Sequence, residues 1–348
     1  MGFLRSSRPV DATNGWPARL VFAAVISGLL LAGTGCAHHR LTRSDMGTLE
    51  ASRVPPPAAH RQDTRFVVWG DSRSKGSQDL ARESELRRCR RQLRDAILEE
   101  DIDFVINTGD MVESGREELW DFFSKDTGDL IRPNFFFPVL GNHEYKGDGD
   151  DDLRQYFNRF EPMVGNRRSY AFAHGAAYVI ALDSFAQPRP ATKGDDVNLH
   201  SQWFQAQLEQ ARSSRTLIVA LHYPVFSSGR NTVVRWLLEK VGVRPTGHNP
   251  PRWTEHLRDD LVQELAQRQR RIPAARTLVF SGHSHFFEHY RFGGVEFIVT
   301  GGGGAPAHKT FGESAHRLAA HEGPHYVRVQ LTDAEAKIEL VPIDCGEE

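Results

Sequence analysis

Five apolar segments of this chain each end in side chains that can bind a cation or move a proton. These side chains are carboxylates, one carboxamide and imidazoles, namely Asp71, Asp110, Asn142, His222, His283 and His285. Because alternate residues of extended backbone point the same way, His283 and His285 can serve one site. A single histidine at a strand end is usually structural, whereas five segments that all end in this manner indicate a shared site.

Nitrogen and oxygen ligands of this kind are typical of catalytic metal sites. Six nitrogen and oxygen ligands exceed the four that one tetrahedral ion requires, and they suit two divalent ions that share a carboxylate. The lack of a cysteine ligand disfavours a structural zinc site and favours Mn, Fe, Zn or Mg in hydrolysis. Two such ions, roughly 3.5 to 4 Å apart, lower the pKa of a bridging water and hold both oxygens of an in-line displacement at phosphorus. The pattern therefore predicts hydrolysis of a phosphorylated small molecule or a phosphodiester.

The segments that carry these residues are too short for buried helices. Each is an apolar run ended by glycine or a polar residue, which is typical of a core strand. The runs are residues 65–70, 104–107, 135–140, 216–221 and 277–280, and further strands are expected at 169–172, 177–182, 295–300, 326–331 and 338–341. Apolar residues at spacings of three and four predict helices at 78–100, around Phe204 and around Leu261. In an α/β fold of this kind, sites lie at the carboxyl ends of the strands.

Composition limits the classes of protein to which this chain can belong. Its 348 residues are 39% apolar and 25% charged, which is typical of a globular protein with a sizeable core. They are compatible with one large α/β domain over residues 64–348. The formal net charge of -2 disfavours nucleic acid as a partner, since a non-specific grip on phosphate backbone requires a clear basic excess.

The N-terminal segment, residues 1–36, has the pattern of an export signal. Arginines precede an uncharged stretch at 20–37, which has the length of a signal rather than of a full membrane span. The end of this stretch, Gly35-Cys36-Ala37, resembles a bacterial lipoprotein signal, in which the cysteine is lipidated and becomes the new N-terminus. We therefore expect an exported lipoprotein, attached to a membrane through Cys36 and facing the periplasm or the cell exterior. Cleavage without lipid and retention as an uncleaved anchor are the alternatives.

Two further segments are expected to lie outside the packed core. Residues 37–63 contain three consecutive prolines and no apolar periodicity, so they are predicted to be an extended tether. Residues 227–253 contain several Gly and Pro residues and a short apolar helix at 233–241, which predicts an insertion or lid. Apart from Cys36 the chain has only Cys89 and Cys345. Two cysteines are too few for a disulfide framework, although they can pair in an oxidising compartment.

The order and spacing of these motifs resemble the calcineurin-like metallophosphoesterases. The family pattern of Asp-x-His, Gly-Asp, Gly-Asn-His-Asp/Glu, a lone His and Gly-His-x-His is met over about residues 65–343, at Asp71, Gly109-Asp110, Gly141-Asn142-His143-Glu144, His222 and Gly282-His283-Ser284-His285. The resemblance implies a four-layer α/β/β/α sandwich of two mixed β-sheets flanked by helices. It also implies that Asp110 bridges the two ions. The remaining ligands would be Asn142, His222 and His283 for one ion, and Asp71 and His285 for the other.

Three residues beside these ligands follow or depart from the family pattern. By the resemblance, His143 would protonate the leaving oxygen or orient the phosphate. Arg73 stands where the family usually has a second first-motif ligand, and a guanidinium cannot bind a cation. We therefore predict that the site of Asp71 and His285 holds its ion weakly and that Arg73 binds the phosphoryl group. The alternative is that Arg73 turns away and pairs with a surface carboxylate. Glu113 replaces the tyrosine ligand of the purple acid phosphatase branch, which the last histidine motif resembles, so a purple chromophore is not expected.

Two other functions fit parts of the sequence. Gly70-Asp71-Ser72 resembles the nucleophile block of GDSL-type serine esterases, in which Ser72 would attack an acyl group. That family also requires a late Asp-x-x-His, and no such tetrad occurs in the chain. The other alternative is a non-catalytic lipoprotein that keeps the fold to bind a metal or a phosphorylated ligand. Arg73 is the residue that suggests it, although His143 has no evident use in such a protein.

Overall fold

The computed structural model of the chain describes residues 43–56, 58, 62–73, 80–146, 153–184, 195–228, 252–311 and 316–346. The export signal with Cys36, the helix expected at 233–241 and most of the insertion expected at 227–253 lie outside these residues. Among the helices that are described, none has the length and apolar character that crossing a membrane requires.

Thirteen strands run through the described residues, and every apolar run predicted to be a strand contributes to one of them. They are β1 (Met46–Thr48), β2 (Thr64–Trp69), β3 (Phe104–Asn107), β4 (Phe136–Pro138), β5 (Ser169–His174), β6 (Ala177–Leu182), β7 (Thr216–Leu221), β8 (Arg276–Ser281), β9 (Phe287–Phe292), β10 (Val295–Thr300), β11 (Arg317–His321), β12 (His325–Leu331) and β13 (Ala336–Pro342). The strands β1, β9 and β11 were not expected, because charged and small residues interrupt their apolar alternation.

The strands form two mixed sheets. The larger sheet has the order β1-β5-β6-β7-β8-β10-β9-β11, and the smaller sheet has the order β13-β12-β2-β3-β4. The strands that carry the candidate ligands are parallel neighbours, with β2, β3 and β4 in the smaller sheet and β7 and β8 in the larger one. Their carboxyl ends therefore lie along one edge of each sheet, where an α/β fold places its site.

Five α-helices are described, and they cover the outer faces of the two sheets. They are α1 (Leu80–Leu98), α2 (Glu117–Thr127), α3 (Arg154–Val164), α4 (Asp195–Gln210) and α5 (Arg252–Arg271). Leu93 of α1, Trp120 of α2 and Phe160 of α3 belong to the same apolar cluster as the smaller sheet. Phe204 of α4 and Leu261 of α5 pack with residues of the larger sheet instead. The four-layer α/β/β/α architecture is thereby confirmed, whereas α2 and α3 were missed.

Aromatic side chains fill the space between the two sheets. The ring of Phe137 in β4 stacks on Phe172 in β5 with centroids 4.3 Å apart. Phe66 in β2 meets Phe280 in β8 edge to face at 6.0 Å. Such ring pairs contribute about 0.5 to 1.5 kcal/mol beyond the burial of their area. Because Phe137 and Phe280 shortly precede ligand-bearing loops, this packing also fixes how far apart the loops of the two sheets lie.

The tether predicted at 37–63 is too long. Met46–Thr48 forms strand β1 at the edge of the larger sheet, where it runs parallel to β5. Met46 and Leu49 are buried, and Arg53 forms an ion pair with Glu161 of α3 at 3.0 Å. A strand of three residues carries no detectable period, so only its pairing with a distant strand reveals that this segment belongs to the domain.

Cys89 and Cys345 form a disulfide. Cys89 is a buried residue of α1, and Cys345 follows the last strand, β13. The neighbouring Arg88 donates to the carbonyl oxygen of Cys345 at 3.2 Å. The pairing that the sequence left open therefore fastens the end of the chain to the helix layer over the smaller sheet.

Candidate metal centre

The structure brings the six predicted ligands to one edge of the sandwich. Asp71, Asp110 and Asn142 follow β2, β3 and β4, and His222, His283 and His285 follow β7 and β8. A direct contact joins the two sheets here, because the backbone N–H of His283 donates to Oδ2 of Asp71 at 2.9 Å. A second link lies within the larger sheet, where Gly282 donates to the carbonyl oxygen of His222 at 3.0 Å.

The chain turns sharply at the ligands themselves. Asp71, Asp110 and His283 have φ values of 60°, 52° and 68°, in the left-handed region that side-chain-bearing residues rarely adopt. Each such residue costs roughly 1 to 3 kcal/mol, and this strain persists only where the surroundings enforce it. Gly282 is needed for a different reason. A Cβ atom at this position would lie 2.4 Å from Oδ2 of Asp71, so no side chain fits.

Four of the ligands form the tighter group, which we call the primary centre: Asp110, Asn142, His222 and His283. Ligand atoms of Asp110, His222 and His283 all lie within 4.8 Å of one another. Oδ1 of Asn142 lies 3.1 Å from Nε2 of His222 and 3.1 Å from Nδ1 of His283. Nε2 of His222 in turn lies 3.3 Å from Oδ1 of Asp110. One carboxylate, one amide oxygen and two imidazoles suit ions such as Mn, Fe and Zn.

Protonation in the primary centre is controlled by burial and by Asp110. Nδ1 of His222 lies 2.8 Å from the carbonyl oxygen of Thr108. Since a carbonyl only accepts, Nδ1 carries a proton and Nε2 faces the centre. Burial, reinforced by His222, lowers the pKa of His283 to about 3, so this ring is neutral. Burial also lowers the pKa of His222, but Asp110 outweighs it and raises the value to about 9. A cation bound here would displace that proton.

The remaining ligands form a sparser group, the secondary centre, which consists of Asp71 and His285 with Arg73 beside them. Nε2 of His285 lies 3.5 Å from Oδ1 of Asp71. Nδ1 of His285 donates to the carbonyl oxygen of Pro306 at 2.7 Å, which leaves Nε2 to face the centre. Nε of Arg73 lies 3.6 Å from Oδ2 of Asp110. The two oxygens of Asp110 thus have different neighbours, with His222 near Oδ1 and Arg73 near Oδ2.

His308 supports the secondary centre, although nothing in the sequence marked it. Its ring stacks on His285 with centroids 3.9 Å apart and planes 9° from parallel. The backbone N–H of His285 also points to Nδ1 of His308 at 3.3 Å. Burial, reinforced by His285, lowers the pKa of His308 to about 4, so the stacked ring is neutral. His308 lies in a loop after β10 and fits no strand-end pattern, which is why sequence reasoning missed it.

His143 lies beside the primary centre rather than within it. Its Nδ1 is 2.7 Å from the carbonyl oxygen of Glu113, so Nδ1 carries a proton. Its Nε2 lies 3.7 Å from Oδ2 of Asp110. Burial lowers the pKa of His143, and Asp110 partly offsets this effect. The ring therefore presents Nε2 to the space beside the shared carboxylate, where a substrate would lie.

Arg73 points into this space and not towards the protein surface. Its side chain is 15% exposed and forms an ion pair with the carboxylate of Glu113, in addition to its approach to Asp110. Nζ of Lys146, which the sequence did not mark, lies 2.8 Å from Nε2 of His143. We call Arg73, Glu113, His143 and Lys146 the charged flank of the site. The flank places two cations and one carboxylate around His143.

Glu144 joins the two loops that carry Asp110 and Asn142. It is fully buried and accepts hydrogen bonds from the backbone of Gly141 at 2.7 Å, Asp110 at 3.0 Å and Met111 at 2.7 Å. Burial, reinforced by Asp110, raises the pKa of Glu144 to about 7. Glu144 is the last residue of the Asn-His-Glu motif, yet its side chain holds the backbone of the loops and faces no metal ligand atom directly.

Ser72 does not have the surroundings of a nucleophile. Its hydroxyl is buried, and within the part of the chain that the structure describes it has no hydrogen-bond partner. An activated serine requires a base within hydrogen-bond reach. The geometry therefore disfavours the serine esterase alternative.

Comparison with known proteins agrees with this arrangement. Residues 44–287 match the family description of the calcineurin-like phosphoesterases. A probable cyclic nucleotide phosphodiesterase of Rhodopseudomonas palustris is 28% identical over 134 residues, which are 37% of this chain and 45% of that protein. Purple acid phosphatase 3 of Arabidopsis thaliana is 24% identical over 316 residues, which are 85% of this chain and 79% of that protein. The chain thus spans less than half of the first of these relatives.

Solved structures share the fold at low identity. A purple acid phosphatase from yellow lupin seeds superposes with a TM-score of 0.56 at 15% identity, covering 80% of this chain and 51% of that one. GAP50, described as the anchor in the inner membrane complex of Plasmodium, gives 0.56 at 17% identity, with 81% and 85% covered. Both likenesses show two mixed sheets between helices. Because the family match takes in well over half of its residues, the chain belongs to the calcineurin-like phosphoesterase family.

Proposed function

We propose that this protein is a metal-dependent phosphoester hydrolase. The observation that carries the proposal is the convergence of six strand-end ligands at one edge of the sandwich, three of which have ligand atoms within 4.8 Å of one another. The donor set fits divalent Mn, Fe, Zn or Mg. When bound, such ions lower the pKa of a bound water and stabilise the charge that develops on the phosphoryl oxygens. Membership of a phosphoesterase family supports the same reaction class.

Different residues would bind the metal ions, donate the proton and bind the phosphoryl group. The primary centre would hold one ion, and Asp71 and His285 of the secondary centre would hold the other. His143, whose Nδ1 already carries a proton, would take up a second proton on Nε2 from water and give that proton to the leaving oxygen. Arg73 would bind the phosphoryl group with its planar guanidinium, which suits two oxygens at once.

The test is hydrolysis by the purified full-length protein, depleted of metal by a chelator and then supplied with Mn, Zn, Fe or Mg separately. The substrates are 4-nitrophenyl phosphate, bis(4-nitrophenyl) phosphate and 4-nitrophenyl acetate. We expect chelation to abolish phosphoester hydrolysis and at least one metal to restore it. Hydrolysis of the acetate alone, unaffected by chelation, would contradict the proposal and implicate Ser72.

A non-catalytic binding protein of the same fold is the second candidate. The observation in its favour is Arg73, because a guanidinium 3.6 Å from the shared Asp110 opposes a second divalent ion. The position of His143 favours catalysis instead. The same assay separates the two functions, since a binding protein would take up metal and phosphate without turnover.

We also propose that the protein is exported and held at a membrane by a lipid on Cys36. The disulfide between Cys89 and Cys345 supports an oxidising compartment. Replacing Cys36→Ser should move the protein out of the membrane fraction or block its maturation. A variant that fractionates and migrates like the wild type would contradict the lipid anchor.

A further inference from the structure

Among the described residues, the group of ligand atoms around Asp110, His222 and His283 includes none of the charged flank, which is Arg73, Glu113, His143 and Lys146. Arg73 and Lys146 bring two positive charges to it and Glu113 brings one negative charge, which leaves one net positive charge when His143 is neutral. This charge comes from the protein itself, and it is independent of how many ions the two centres hold.

Arg73 is positioned by two carboxylates and Lys146 by the ring of His143. The guanidinium of Arg73 is held between the carboxylate of Glu113 and Oδ2 of Asp110. Nζ of Lys146 lies 2.8 Å from Nε2 and 3.0 Å from Nδ1 of His143. The backbone connects the loops as well, because Gly115 donates to the carbonyl oxygen of Lys146. Arg73 and Lys146 therefore lie near the same imidazole, one beside the shared carboxylate and one against the ring.

The number and placement of these cations bear on the charge of the substrate. A phosphodiester carries one negative charge, whereas a phosphomonoester carries between one and a half and two near neutral pH, because its second pKa is about 6. A diester also carries a second esterified group in place of one free phosphoryl oxygen. A protein cation directed at that oxygen strengthens binding of the monoester. A diester has no charged oxygen at that position, so the same cation does not strengthen its binding.

We infer that the charged flank selects a terminal phosphate, so that the substrate is a phosphomonoester and Lys146 is a residue that binds it. This inference rests on the proposed hydrolase function and assigns its substrate class. Arg73 and Lys146 bind the free phosphoryl oxygens that a diester lacks. Glu113 keeps the guanidinium of Arg73 turned towards the site, where it lies beside Asp110.

The test replaces Lys146→Met and measures both binding and turnover with the metal-loaded full-length protein. Calorimetric titration uses inorganic phosphate as the more highly charged anion and dimethyl phosphate as the monoanion. Turnover is compared on 4-nitrophenyl phosphate and bis(4-nitrophenyl) phosphate. The matched control is Lys337→Met, because Lys337 lies on β13 with 61% of its side chain exposed, outside both centres and the charged flank.

We expect the wild type to prefer the monoester and to bind inorganic phosphate more tightly than dimethyl phosphate. Lys146→Met should weaken phosphate binding by roughly 10- to 100-fold, which corresponds to one lost hydrogen bond between charged groups. Binding of dimethyl phosphate should change by less than about threefold, and Lys146→Arg should recover most of the loss, because it keeps the charge. The control variant should match the wild type in both measurements.

A wild type that prefers the diester, or a Lys146→Met variant that loses both substrates equally, would overturn the inference. Absence of turnover on every phosphoester would refute the proposed hydrolase, while the phosphate titrations would still test Lys146. Thermal unfolding of each variant checks the fold. If Lys146→Met does not fold, then Lys146→Gln and Lys146→Arg provide the same comparison of neutral and charged side chains.

Discussion

The primary and secondary centres are built from the same kinds of strand end, yet they differ in ligand number and in charge. The primary centre gathers four donors, and Arg73 approaches one of them, Asp110, at 3.6 Å. Among the described residues, the secondary centre has two candidate ligands, Asp71 and His285, with Arg73 beside them. The first arrangement suits one tightly bound ion. In the second, the guanidinium of Arg73 offsets part of the negative charge of the carboxylates, so we expect an ion there to be bound more weakly.

An arginine beside a metal site affects both the ion and the substrate. A guanidinium roughly 6 Å from a second divalent ion opposes it by about 5 kcal/mol at an effective dielectric of 20. The same guanidinium is planar and can donate two hydrogen bonds to phosphoryl oxygens. An uncharged residue that could not bind the metal would lack these donors. We therefore propose that Arg73 lowers affinity for a second ion and raises affinity for the substrate.

The largest effect is expected from damage to the primary centre. His222→Ala removes a buried ligand and frees the charge of Asp110, so the tight ion should be lost and activity should fall by more than the roughly 10- to 100-fold that an outer-shell partner causes. Metal content is measured by mass spectrometry after gel filtration, beside Asp71→Ala, which should keep one ion. The control is His321→Ala on β11. Full metal content in His222→Ala, or loss of both ions in Asp71→Ala, would contradict the expectation that the primary centre binds its ion more tightly than the secondary centre.

Substitution of His143, which lies beside Asp110, tests the proposed general acid. General acid catalysis is worth about 10²- to 10⁴-fold, so His143→Ala should lose that much in kcat while it keeps its metal content. The loss should be smaller for 4-nitrophenyl phosphate than for an alkyl phosphate, because nitrophenolate leaves without a proton. Equal losses on both substrates would refute the acid role.

Arg73 tests the secondary centre directly. Arg73→Ala should lower kcat/KM by roughly 10- to 100-fold through weaker substrate binding, the effect of removing a hydrogen bond between charged groups. Arg73→His should instead raise the affinity for the second ion, which metal titration measures. The control is Arg215→Ala, which removes an exposed arginine paired with Asp333. Two equally tight ions in the wild type, together with unchanged kcat/KM in Arg73→Ala, would refute the proposed role of Arg73.

The smallest effect is expected at His308. His308→Ala removes the ring stacked on His285 but leaves the bond from His285 to Pro306, so the weaker ion should lose about tenfold in affinity, at the low end of outer-shell effects. His308→Phe keeps a stacked ring and should stay close to the wild type. Metal titration of the two variants measures the affinity of each ion. A change in the affinity of the tight ion alone would contradict the assignment of His308 to the secondary centre.

The strand ends and the candidate ligands on them could be predicted from the amino-acid sequence. Alternation and short apolar runs are local signals, so β2, β3, β7 and β8 could be located without tertiary structure. Each ligand then follows its strand within a few residues, and this closeness in sequence is why six of them could be named together. The four-layer sandwich followed from the resemblance of those motifs to a family, not from the apolar pattern.

Contacts between segments that are distant in sequence could not be predicted and are seen only in the folded protein. The docking of β1 requires β5, more than a hundred residues later, and three residues are too few to show a period. The stacking of His308 under His285 and the approach of Lys146 to His143 join side chains on loops, where no regular spacing links sequence to position. The orientation of Arg73 was also open, because a long side chain reaches either solvent or the site. Glu113 and Asp110 settle it, since only the folded loops bring those two carboxylates within reach of one guanidinium.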